Sequence, residues 1–136
     1  MRKILLTLLC LCIGTAAFSE TAAQLFAKAK REKDPNTQIK MLTRVIARSP
    51  RLADAYHYRA DAYLSQGRNK QALADYSKTI SLRPRDAFRY YARGLAYQKM
   101  GRNSQALADL SKAISLKSSY RNFYLARARV NASLKK

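Results

Sequence analysis

ADAYHYRADAYLSQGRNKQALADYSKTISLRPRD (53–86) runs without a gap into AFRYYARGLAYQKMGRNSQALADLSKAISLKSSY (87–120), and the two segments agree at 18 of 34 aligned positions. A repeat of this length points to stacked supersecondary units, each of which buries its apolar face only against its neighbours. In each copy Tyr56 or Tyr90 opens a stripe continued by Ala60 and Tyr63, or by Gly94 and Tyr97, at spacings of four and three. A second stripe follows at the same helical spacing: Ala72, Leu73, Tyr76, Thr79 and Ile80, then Ala106, Leu107, Leu110, Ala113 and Ile114. Gly67 and Gly101 separate the stripes, each opening the tripeptide G-R-N, where glycine best supplies a left-handed helix end. Each unit therefore reads as helix, turn, helix.

These residues resemble the tetratricopeptide repeat, which asks for an aromatic, a small residue and a tyrosine on the first helix, then alanine, an aromatic and a closing proline on the second. Tyr56, Ala60, Tyr63, Gly67, Ala72, Tyr76 and Pro84 carry the match in one copy; Tyr90, Gly94, Tyr97, Gly101, Ala106 and Ala113 carry it in the next. Small residues at 60, 94, 72 and 106 would let paired helices approach closely while the flanking aromatics fill the wedge beside them. Leu110 departs from the second aromatic, Ser118 from the proline, and Arg59 and Arg93 from a place often held by leucine. The resemblance implies an all-α, right-handed solenoid.

Outward from the central pair, the same frame continues in both directions. Upstream, Ala22, Leu25, Phe26 and Ala29 lie one period before Tyr56, Arg59, Ala60 and Tyr63. KDPN (33–36) makes a turn, and Ile39, Leu42, Val45 and Ile46 form a second stripe closing at Pro50. Only Ile46, Pro50 and Arg51 are identical to the central copy, as expected of a degenerate terminal unit. Downstream, RNFYLARARVNASLKK (121–136) restarts the frame with Tyr124, Ala126, Arg127 and Ala128 and reads as a capping helix. The expected organisation is three repeats, about 20–52, 53–86 and 87–120, plus a cap over 121–135, within one domain spanning 20–136.

MRKILLTLLCLCIGTAAFSE (1–20) begins with Arg2 and Lys3, continues with an apolar run from Ile4 to Ile13, and ends in small residues. That is the pattern of a secretory signal peptide over residues 1–19, cleaved after Ala17 or Ser19; an uncleaved anchor is the competing reading. Cys10 and Cys12, the only cysteines, would leave with it, so the mature chain would carry no disulfide in an oxidising compartment. The leader and the missing disulfides point to a bacterial periplasmic or secreted protein.

Twenty-seven Lys and Arg against eight Asp and Glu give a formal charge of +19, which falls to +17 once Arg2 and Lys3 are removed. Such a balance favours non-specific attraction to nucleic acid, anionic lipid or acidic polymer. Lys70, Lys78, Arg83, Arg85, Lys112 and Lys117 fall on second helices or in the turns after them and are the candidate basic surface.

Enzyme chemistry finds little support. There is no phosphate-binding glycine loop, zinc-protease histidine pair or serine elbow. Asp54, His57 and Asp61 share one helix face and could hold a metal or poise a general base, but nothing else converges on them, and a solvated polar stripe is the preferred reading. No cofactor and no metal site is expected. Arg59, Arg93 and Arg127 recur one period apart, as do Asp75 and Asp109; pairing between the rows is preferred to an open anion ladder, because an enclosed cation needs a fixed partner.

The resemblance also implies a partner groove lined by first-helix residues turned away from the repeat's own core. Those are Asp54, His57, Asp61 and Leu64, then Phe88, Tyr91, Leu95 and Gln98, then Asn122, Leu125 and Arg129. They make an apolar, aromatic centre with an acidic edge, suited to a peptide or protein segment carrying one or two apolar anchors. The alternative is that Phe88, Tyr91 and Leu95 simply pack against neighbouring first helices. The lysine and asparagine pairs with which chaperone-binding members clamp a terminal carboxylate are missing. The functional expectation is a non-enzymatic protein-binding scaffold, with polyanion binding through the basic outer surface as the alternative.

Overall fold

The computed structural model describes residues 20–135; the leader and both cysteines lie outside the described residues. Among those residues all regular structure is helical: α1 (Ala22–Ala29), α2 (Pro35–Arg48), α3 (Ala53–Ser65), α4 (Asn69–Leu82), α5 (Ala87–Lys99), α6 (Asn103–Leu116) and α7 (Arg121–Leu134). They form three antiparallel pairs and a seventh helix, stacked in chain order as an α-solenoid.

The ends of these helices are set by local chemistry. Thr21 and Gln24 form a reciprocal capping box at the start of α1, and Asp34 accepts the Thr37 amide with Pro35 as the first residue of α2. Gly67 and Gly101 sit at φ 69° and 72°. There the amides of Arg68 and Arg102 reach back to the carbonyls of Tyr63 and Tyr97, closing α3 and α5 with the six-to-one bond that a left-handed residue allows. The repeat boundary is tied as well: the hydroxyls of Tyr56 and Tyr90 donate to the carbonyls of Pro50 and Pro84, both at 3.1 Å.

Close packing follows the small residues. Ala60, Ala72 and Ala106 are fully buried. A Cβ added at Gly94 would stand 3.1 Å from Leu110 Cγ, so α5 and α6 meet at a distance that only glycine accepts without displacement. Instead of one closed core, buried clusters succeed one another along the stack. Leu25, Leu42 and Val45 anchor the first, Ala60, Ala72 and Tyr76 the next, and Leu110, Ala126 and Val130 the one beyond.

Two of the three arginines in the row pair within their repeats; Arg127 makes no ion pair among the described residues and lies 5.7 Å from the centre of the Tyr124 ring. Arg59 grips Asp75 with two parallel bonds of 2.7 and 2.9 Å, and Arg93 grips Asp109 with bonds of 2.7 and 2.8 Å. These hydrogen bonds raise the pKa of both guanidinium groups despite partial desolvation. The remaining nitrogen of each turns to the previous repeat, donating to Thr43 or to Ser77. Each arginine therefore ties its own second helix to the preceding one. In the degenerate repeat the equivalent positions are Leu25 and Met41, both buried, so an apolar pair of similar reach occupies the place of the ion pair.

A candidate partner groove between α3 and α5

First helices line a groove of about 670 Å³ that opens between α3 and α5. α3 contributes His57, Asp61 and Leu64; α5 contributes Phe88, Arg89, Tyr91, Ala92, Leu95, Ala96 and Lys99; Tyr76 of α4 and Asp86 complete the wall. The floor is apolar, made by Leu64, Ala92, Leu95 and Ala96, and Phe88 stands at the mouth with 40% of its surface exposed. Carboxylates mark the edge.

Asp86, Arg89, Tyr76 and Asp61 each have a structural partner. Asp86 caps α5 by accepting the Phe88 amide at 3.0 Å, and its second oxygen receives Arg89 Nε at 3.1 Å. The far end of Arg89 crosses to Asp54 of α3 at 2.5 Å, so this buried guanidinium clasps two successive first helices. Position 89 corresponds to Ala55 and Phe123 in the flanking units, both fully buried, so a cation here needs the two carboxylates that surround it.

The Tyr76 hydroxyl donates to the Asp61 carboxylate. Burial, and then that bond, push the phenol well above its ordinary 10. His57 lies with Nε2 3.7 Å from Asp61, its ring set edge-on to Tyr58 and Tyr76, and Nδ1 has no hydrogen-bond partner among the described residues. The trio of Asp54, His57 and Asp61 is thus divided, with Asp54 committed to Arg89 and Asp61 to Tyr76. Among the described residues no three His, Cys, Asp or Glu side chains are placed to hold a metal ion.

Of the residues expected in the groove, His57, Asp61, Leu64, Phe88, Tyr91 and Leu95 come together in its lining, and Asp54 stands just behind it. Gln98, Asn122, Leu125 and Arg129 do not join them. Phe123 of α7 fills the space that would have extended the groove, stacking tilted on Tyr91 at 4.9 Å and edge-on to Phe88 at 5.4 Å. Leu125 consequently projects from α7 with 43% of its surface exposed. Tyr91 and Leu95 serve twice, facing the groove on one side and packing on the cluster around Leu110 on the other. Sequence reasoning missed Arg89, Asp86, Tyr76 and Lys99. An arginine in a frame position held by alanine and phenylalanine in the neighbouring units is the signal that could have found the first of them.

All six residues of the expected basic surface are exposed. Lys117 does not share the side of the others: its Nζ lies over the Phe88 ring at 4.9 Å and the Tyr120 ring at 5.6 Å, at the groove mouth, drawn there by the aromatic faces.

Sequence profiles of the TPR repeat and the tetratricopeptide repeat match residues 60–101 and 89–120. No curated protein sequence matches the chain significantly. Among solved structures the chain is similar to MamA (TM-score 0.77, 24% identity, covering 85% of this chain and 69% of that one). It is likewise similar to the first TPR of Spaghetti (RPAP3) bound to HSP90 peptide SRMEEVD (TM-score 0.77, 18% identity, 88% and 97%). The Sgt2 TPR domain from Aspergillus fumigatus gives a TM-score of 0.76 at 16% identity, over 86% of this chain and 81% of that one.

Proposed function

We propose, for a chain that belongs to the tetratricopeptide repeat family, that it is a non-enzymatic interaction scaffold holding a segment of a partner protein in the groove between α3 and α5. One observation carries this reading: Leu64, Ala92 and Leu95, all partly exposed, line an apolar trough above buried Ala96 between two first helices, with Phe88 exposed beside it. Such a trough accepts an extended or helical segment through one or two apolar anchors. The solved relative that holds an HSP90 peptide supports the use of this fold for peptide capture.

The lining sets Asp61 and Asp86 against Arg89 and Lys99, with Lys117 over Phe88, so its charge is balanced and the occupant is selected by its apolar anchors more than by its charge. Export through cleavage of residues 1–19 into a periplasmic or extracellular space belongs to the same proposal. Mass spectrometry of the mature protein tests it, and an intact Met1 on cytoplasmic protein would exclude it.

Affinity capture from the compartment in which the protein is found tests the groove. Phe88→Ser combined with Leu64→Gln should abolish capture of a partner that survives high-salt washing, while helicity and melting stay close to wild type. Undiminished capture by the folded double variant would place the contact elsewhere.

A further inference from the structure

Both layers of the solenoid carry cations, but the outer one has its own carboxylates engaged internally. The second helices α2, α4 and α6 contain two carboxylates, Asp75 and Asp109, and both are 6% exposed and held by Arg59 and Arg93. The same three helices carry Lys40, Arg44, Arg48, Lys70, Lys78 and Lys112, all exposed. Outside the helices themselves, exposed Asp34 at the cap of α2 lies near enough to act on Lys40, and neither carboxylate within the three helices is free to neutralise Arg44, Lys78 or Lys112. The acidic groups Asp54, Asp61 and Asp86 belong to the groove side.

Within that layer three cations fall in register. Arg44, Lys78 and Lys112 are each the tenth residue of a 14-residue helix, one period apart, so they form a line crossing the helices along the solenoid. Among the described residues none of the three is in an ion pair or over an aromatic ring. Around Lys78 and Lys112 the exposed neighbours Ala74, Ser77, Ser81, Ala108, Ser111 and Ser115 are short, while Arg44 stands between two further exposed cations, Lys40 and Arg48.

We infer that this outer face is a docking surface for a flexible acidic polysaccharide, one whose carboxylates or sulfates recur along a chain able to follow the row. Three features select that partner. The large apolar side chains that are exposed, Phe88, Tyr124, Leu125 and Leu134, all lie on α5 and α7, so the outer face has nothing to insert into a bilayer. It also has no exposed aromatic ring on which unpaired bases could stack. Cations in a line, spaced by the repeat and set among hydroxyls, match a polymer of repeating charge better than a membrane, whose mobile headgroups need no register.

Binding of the purified protein to heparin, used as the probe, tests the inference beside short duplex DNA and vesicles rich in phosphatidylglycerol. The triple variant Arg44→Gln, Lys78→Gln, Lys112→Gln should weaken heparin binding about tenfold at moderate salt and reduce the salt slope by about two, as expected for three lost contacts to a flexible polyanion. A control with the same loss of charge, Lys28→Gln, Lys33→Gln, Arg121→Gln, should change it much less, and circular dichroism should show both variants folded. Equal weakening in the two variants would mean that net charge alone is felt, and the inference fails. If DNA or vesicles bind more tightly than heparin and respond to the row, the surface is real but the polysaccharide assignment is overturned.

Discussion

Gly94 and Tyr76 show how much single positions decide. At Gly94 an added Cβ would press on Leu110, a fully buried side chain with little room to retreat. Gly94→Leu should therefore lower stability by about 1–3 kcal/mol through overpacking, read from denaturant melts. Gly94→Ala should come out near neutral, since about 1 kcal/mol of helix propensity offsets the same contact in milder form. Tyr76 makes a prediction about pH. Its folded phenol titrates above the ordinary 10, so the stability it contributes is complete below that value and declines as the pH rises past it. The wild-type melting temperature should fall on going above pH 10 by more than that of Tyr76→Phe; equal slopes would mean the phenol is not protected.

At the scale of the helix, the two glycine turns, the helix pairs and the pairing of Arg59 and Arg93 with the aspartate row were legible in the sequence, because each rests on periodicity or on a residue type with one good use. The groove was only half legible. Periodicity gave the face on which His57, Asp61, Phe88, Tyr91 and Leu95 lie. It could not show that Phe123 closes the space toward α7, since that depends on an aromatic from another unit reaching across. Arg89 escaped for a related reason: its two carboxylate partners stand 35 residues upstream and three residues upstream, and only folding brings them to one side chain. The degenerate repeat supplies its own test of the internal pairs. Leu25 and Met41 already fill the place of Arg59 and Asp75, so Arg59→Leu with Asp75→Met should be neutral or stabilising. Asp75→Met alone should cost about 3 kcal/mol, because it leaves a half-enclosed guanidinium without its carboxylate. A double variant no more stable than the single one would contradict this account of the pair.

Across the whole molecule the solenoid separates two surfaces that a compact fold would have mixed. First helices hold an apolar trough whose carboxylates are balanced by Arg89 and Lys99, and second helices hold cations in a line. A formal charge of +19 thus coexists with a groove that is not basic, which composition alone concealed. The apolar trough carries the central claim, and photo-crosslinking tests it most directly. A photoreactive phenylalanine analogue placed at Leu95 in the groove should trap a partner segment with apolar side chains, at a yield that high salt leaves nearly unchanged. The same analogue at Lys78 on the outer layer should trap no such segment. Adducts of the partner protein formed only from position 78, and lost in salt, would contradict the groove as the binding surface.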